Sequence, residues 1–219
     1  MKWKELKYWT SGEYQVVQER LNDLSKAKRP WNPGKRTLFR AMDLLPFEEV
    51  KVMFCAQDPY PDPIYCTGCA FDIPADTMGN FPPTLSNLIK EYHDDTGFPI
   101  PVTSGSLLKW VEQGVFLWNC IPSCTAFKSL SHDWPEWELL TQEIIRELSK
   151  QSKTVFVFFG GRARRYAEYV EPGEDVIEVS HPSPRASRSS KHPFLGSRIF
   201  TTVNAKLVGQ GLEPINWRL

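Results

Sequence analysis

Apolar positions recur along the chain with two spacings. Val16, Val17, Leu21 and Leu24 fall on one side of a 3.6-residue period, which predicts an amphipathic helix over residues 13–27. The proline- and glycine-bearing run from Arg29 to Lys35 breaks it. A short helix is expected at 38–45, then an apolar, partly β-branched run at 50–56 that reads as a buried strand. Residues 57–83, rich in Pro, Asp and Gly, read as a long loop. A helix over 84–92 follows, with Thr84 as its expected N-cap, and another over 107–113 that stops at Gly114. Residues 115–118 form a second apolar strand ending at Asn119. Residues 134–150 form the clearest amphipathic helix, with Trp134 and Trp137 expected to pack along it. A third strand at 154–159 runs into Gly160 and Gly161, then a helix at 163–169. A fourth strand at 176–179 ends at Ser180 and His181, and a last helix spans 200–209.

Strands alternating with helices predict an α/β fold around a mostly parallel four-stranded sheet, and 219 residues suit one domain spanning 1–219. In such sheets, ligands bind beyond the carboxyl ends of the strands. Gln57, Asp58, Asn119, Gly160, Gly161 and His181 each stand just past a predicted strand, so the topology brings them to one edge. Any one of them alone reads more simply as a turn or packing residue; together they read as a site.

Composition narrows the class. Hydrophobic residues make up 41% and charged residues 24%, which excludes a disordered chain. No apolar run is long enough to span a membrane, and the N-terminus lacks the pattern of a signal peptide. Lys plus Arg equals Asp plus Glu, 26 each, so net charge selects no partner. Its distribution does more: residues 25–41 carry six basic side chains and no acid, and residues 181–198 carry four and no acid. Five cysteines with no secretory signal suggest a reduced, cytoplasmic protein; a eukaryotic or viral source would add the nucleus. Cys66/Cys69 and Cys120/Cys124 could pair on zinc or an iron–sulfur cluster, but buried thiols are the simpler expectation. His93, His132 and His192 show no ligand spacing and read as surface or loop residues.

Several segments resemble those of family 1 uracil-DNA glycosylases. These are Gln57-Asp58-Pro59-Tyr60, Gly68 to Phe71, Phe81-Pro82-Pro83-Thr84-Leu85, Lys109 to Asn119 and His181-Pro182-Ser183-Pro184. Phe194 to Asn204 and the closing Gln210 to Trp217 match as well, in the family's order. The resemblance implies a uracil-DNA glycosylase-like three-layer α/β/α fold and hydrolysis of the bond between uracil and deoxyribose, the first step of base-excision repair. It implies that uracil is flipped out of DNA into a pocket. Phe71 would stack on the base, Asn119 would read its edge, and Tyr60 would exclude the thymine methyl. His181 would donate to O2 as negative charge develops, Asp58 would hold the water and stabilise the cationic sugar, and Gln57 would lie near O2. Thr84, Gly160, Gly161 and Ser183 would contact phosphates. No metal or redox cofactor is implied. The implied partners are uracil-containing single- or double-stranded DNA and a uracil-glycosylase inhibitor protein, with the enzyme a monomer and away from membranes.

Three positions depart from the family pattern. Pro61 stands where His is usual and removes an imidazole and a backbone N–H. Arg185 replaces the apolar residue that fills the gap left by the flipped base, which implies altered engagement of duplex DNA. Ala186 replaces a phosphate-binding Ser, with Ser187 as the substitute one residue later. These departures motivate the rival reading, a DNA-binding scaffold or processivity subunit that retains the pocket but uses it little.

Overall fold

The computed structural model describes residues 2–77, 79, 81–101, 104–186 and 193–219. In chain order the elements are α1 (Glu13–Lys26), β1 (Trp31–Asn32), α2 (Arg40–Leu44), β2 (Val52–Ala56), α3 (Pro83–Thr96), α4 (Leu108–Val111), β3 (Val115–Asn119), β4 (Cys124–Thr125), α5 (Pro135–Ser149), β5 (Val155–Phe159), α6 (Gly160–Arg164), β6 (Val176–Val179) and α7 (Ile199–Gly209). β2, β3, β5 and β6 form one parallel sheet in the order β3-β2-β5-β6, as the alternation of strands and helices predicts. Every residue of β2, β3 and β5 is buried, which is why these strands read as continuous apolar runs rather than alternating ones.

The register fixes the two faces. Cys55 lies opposite Trp118, and the Trp118 indole N–H donates to Thr141 Oγ1 of α5 at 2.9 Å. Phe54 points the other way, stacking on Trp217 and meeting Phe159 and Trp110 edge-on; Trp217 in turn donates to the carbonyl of Phe200 in α7. Helices therefore cover both faces in three layers. α5 faces the sheet with Trp137, Leu140, Thr141, Ile144, Ile145 and Leu148, an i, i+3, i+4 stripe in which each large apolar side chain contributes about 1.5–3 kcal/mol by leaving water.

Local chemistry moves several boundaries. α3 starts at Pro83, with Pro82 in the cap position and no side-chain cap bond, so Thr84 is a first-turn residue and not the N-cap. Proline at the first helical position already supplies the required φ and has no N–H to satisfy. α3 also runs past residue 92 to Thr96, where Gly97 ends it in a left-handed conformation. The helix expected at 163–169 is instead α6, beginning at Gly160, followed by a 3₁₀ stretch over Arg165–Tyr169. The break at 29–35 hides a two-residue strand: β1 pairs antiparallel with β4, Trp31 opposite Thr125 and Asn32 opposite Cys124. Among the described residues no helix is long and apolar enough to cross a membrane.

Candidate active site

The sheet order reverses direction between β2 and β5. A crevice at the carboxyl ends of the strands is expected at such a switch point. A cleft of about 760 Å³ opens there, lined by Gln57, Asp58, Tyr60, Phe71, Thr84, Asn119, Gly160, Gly161, His181, Ser183 and Arg185. The residues given a site role by the sequence reading thus line one cleft except Ser187, which lies outside the described residues; His192 lies outside them too.

Asp58 is held by three hydrogen bonds. Its Oδ1 accepts from Gln57 Nε2 at 2.8 Å, and its Oδ2 accepts from Ser129 Oγ at 2.6 Å and the Leu130 N–H at 2.7 Å. Gln57 is committed at both ends, because its carbonyl accepts from the Ile121 N–H and from Cys120 Sγ. Asn32, buried at the β1–β4 pair, donates to the carbonyls of Tyr60 at 3.0 Å and Pro61 at 2.8 Å and so pins the loop after Asp58.

His181 is set differently. The Ser183 N–H donates to its Nδ1 at 3.1 Å, so Nδ1 is an acceptor and the ring proton sits on Nε2. Burial lowers its pKa below the ordinary imidazole value, against the opposing pull of the Asp58 carboxylate. The ring is therefore a neutral Nε2–H donor at neutral pH. Gly160 makes room for it: its φ is +86°, and a Cβ there would stand 2.9 Å from His181 Cβ.

Between these groups lie the base-sized elements. Phe71 meets Phe159 edge-on at 5.0 Å and lies 6.0 Å from the His181 ring. Its backbone is left-handed, with φ +64°. The segment is braced by the Ala70 N–H on the carbonyl of Leu117 and by the buried Asp72, whose Oδ1 accepts from the Leu107 N–H and Ser106 Oγ. Burial raises the pKa of Asp72. Gly68 is required before it, since a Cβ there would collide with the Thr37 carbonyl. The Tyr60 hydroxyl donates to the carbonyl of Phe71 at 3.3 Å and fixes the wall beside it. Asn119 ends β3, and among the described residues its amide makes no hydrogen bond. It lines the cleft with an amide that has both a donor and an acceptor to offer.

Sequence reasoning did not find the residues that brace these groups. Ser129 stands more than seventy positions from Asp58, with no local pattern to mark it. Ser180 Oγ donates to the carbonyl of Ala186 and accepts from the Phe194 N–H, tying together the two sides of the loop after His181. One turn apart on α3, Asn87 donates to the carbonyl of Pro182, and Glu91 accepts from the Arg198 N–H. His132 does lie in a loop but is only 1% exposed, between Ser123 Oγ and Thr125 Oγ1 and stacked on Trp134. The cysteines are free thiols, and among the described residues no group of three or more His, Cys, Asp or Glu is placed to hold a metal ion. Burial pushes Cys66, Cys69 and Cys124 up to about 12. Cys120 and Cys124 donate to the carbonyls of Gln57 and Pro59, so this pair supports the Asp58 loop.

Known proteins are similar to this chain in sequence and in fold. The model of the Uracil DNA glycosylase superfamily matches residues 42–208. A uracil-DNA glycosylase from Porphyromonas gingivalis is 39% identical over 204 residues, covering 91% of this chain and 90% of that protein. One from Thermobifida fusca is 37% identical over 191 residues, covering 87% and 81%. The crystal structure of mimivirus uracil-DNA glycosylase superposes with a TM-score of 0.84 at 25% identity, covering all of this chain and 90% of the other. A variant of mimivirus UNG in complex with UGI gives 0.87 at 26% identity, covering 97% and 86%. With its sheet order, its cleft and these relatives together, the chain belongs to the uracil DNA glycosylase superfamily.

Proposed function

We propose that this chain is a monofunctional uracil-DNA glycosylase of the family 1 type, acting as one unit over residues 1–219. It flips uracil from DNA and hydrolyses the N-glycosidic bond to leave an abasic site. The observation that carries this reading is the pairing of an oriented carboxylate, Asp58, with a neutral Nε2–H imidazole, His181, across one cleft.

As the bond between C1′ and N1 breaks, its electron pair passes to uracil and the sugar becomes cationic. His181 donates to O2, a hydrogen bond that strengthens as charge reaches that oxygen. Asp58 offers its anion to the sugar and orients the water that adds at C1′, and the proton that water sheds balances the charge of the departing uracil anion. Gln57 serves by orienting Asp58. Phe71 stacks on the base, and the amide of Asn119 accepts from N3–H and donates to O4, the reverse of what cytosine presents. Tyr60 fills the space at C5, since a methyl group left to itself discriminates by only about 1–3 kcal/mol. Thr84, Gly160, Gly161 and Ser183 hold phosphates, Arg185 engages the duplex at the cleft rim, and Ser187, outside the described residues, is assigned a DNA contact from the sequence alone. The chain works as a monomer, inside the cell where its DNA is, and a UGI-type inhibitor would occupy this same cleft. A scaffold that only held DNA would gain nothing from a fixed carboxylate facing a phosphate-rich ligand.

The test is a gel assay for abasic sites in a uracil-containing oligonucleotide; intact DNA after alkali would overturn the proposal. Asn119→Asp should release cytosine, because a carboxylate accepts from its exocyclic amine. Strict uracil release by that variant would remove Asn119 as the base reader.

A further inference from the structure

The first basic stretch lies outside the cleft and has no role in the chemistry above. Lys28, Arg29 and Lys35 are exposed, as is Lys128 on the facing loop, and among the described residues none of them forms an ion pair. They line two adjoining grooves. One, of about 680 Å³, includes Arg20, Arg29, Lys128 and Trp134; the other, of about 560 Å³, includes Lys28, Arg29, Trp31 and Lys35. Arg29 belongs to both. The acids nearby are already matched: Asp23 pairs with Lys26, and Glu136 pairs with Arg20.

The grooves are fixed relative to the cleft. The Ala126 N–H donates to the carbonyl of Pro30, and the Phe127 N–H donates to that of Pro61. With Asn32 on the Tyr60 and Pro61 carbonyls, the basic stretch, the loop 126–130 and the Asp58 loop form one braced unit. That loop is the ridge between cleft and groove: Ser129 lines the cleft on one side, and Lys128 lines the groove on the other. Phe127 stands on the ridge, 74% exposed. An exposed aromatic beside unpaired cations is the pattern that takes a single strand, the base on the ring and the phosphates on the charges.

We propose that the DNA strand flanking the flipped nucleotide leaves the cleft over Phe127 and runs along Lys128, Arg29, Lys28 and Lys35. This extended backbone track rests on the reading of the cleft as a uracil site. On a net-neutral protein it supplies local attraction that total charge does not.

The test compares uracil release from a trinucleotide with central deoxyuridine and from an oligonucleotide several times longer, over a range of salt. Wild type should gain kcat/KM with length, and the gain should shrink as salt rises. The Lys28→Glu/Arg29→Glu/Lys35→Glu variant should match wild type on the trinucleotide, which also reports that it folds. It should lose about tenfold or more on the long substrate, with a salt slope shallower by about 2, given a slope of ~0.7 for each phosphate neutralised on a single strand. Phe127→Ala should weaken the long substrate alone. Equal activity of wild type and variant on the long substrate overturns the track and leaves the site reading intact. If wild type releases no uracil from either substrate, the site reading fails. Binding of uracil-free single strands by wild type and variant, followed by fluorescence anisotropy, then decides the track alone: equal affinity overturns it.

Discussion

The two sides of the cleft are held by different physics. On the Asp58 side, three hydrogen bonds from two loops fix one carboxylate, and buried Asn32 with two thiols braces the loop that carries it. On the His181 side, one backbone N–H sets the tautomer, and burial together with a glycine-sized gap sets charge and position. The carboxylate is over-determined and should tolerate the loss of one partner. The imidazole depends on few contacts, so a small displacement should cost much more. This fits the chemistry. An anion needs compensating donors to stay oriented beside a buried base, whereas a neutral donor needs shape and exclusion of water.

Removing the charge itself breaks the comparison most severely. Asp58→Asn keeps the size but not the anion, and single-turnover uracil release should slow by ~10²–10⁴. A residual rate near wild type would remove the carboxylate from the mechanism. Gly160→Ala should come next: the added Cβ pushes on His181, and a displacement near 1 Å costs about 10²-fold. Uracil binding by the stacked, unreacted base should suffer much less than kcat, and a KM-only effect would contradict the crowding account.

Ser129→Ala sharpens the contrast. The Leu130 N–H still holds the same oxygen, so the loss should be about tenfold or less in kcat. KM should stay near the wild-type value, because the Ser129 hydroxyl touches Asp58. An unchanged kcat would mean that Ser129 serves only the loop.

The smallest and most gradual effect is on stability. His132 and His181 both have folded pKa values below the ordinary 6.5, His132 down to about 4, with burial the leading cause for each. A depressed folded value means that the unfolded chain binds protons first. The contribution is therefore complete above pH 6.5 and is lost as pH falls through the folded values. Denaturant midpoints measured between pH 6.5 and 4 should decline, and His132→Gln should flatten part of that decline. An unchanged slope in the variant would take His132 out of the acid response.

Much of the site was legible because parallel strands put their exits at one edge. Gln57, Asp58, Asn119, Gly160 and His181 each follow an apolar run, and that position alone gathers them. The braces were not legible. Ser129, Asn87 and Asn32 act across 28 to 95 positions of sequence and Ser180 across 6 and 14, and a lone serine or asparagine carries no periodicity to mark its partner. The β1–β4 pair escaped for a related reason: two residues per strand are too few to show alternation, and the prolines around Trp31 and Asn32 read as a break.

Hydrophobic period and strand exits, both written locally in the chain, determined the α/β class, the edge where chemistry gathers and the types of residue available there. The tertiary structure alone decided that His181 carries its proton on Nε2, that Asp58 answers to Ser129 and Leu130, and that Lys28, Arg29, Lys35 and Lys128 share one flank of the cleft. Tautomer, carboxylate orientation and charge grouping depend on which distant atoms come within about 3 Å of one another, and only the packed chain sets those separations.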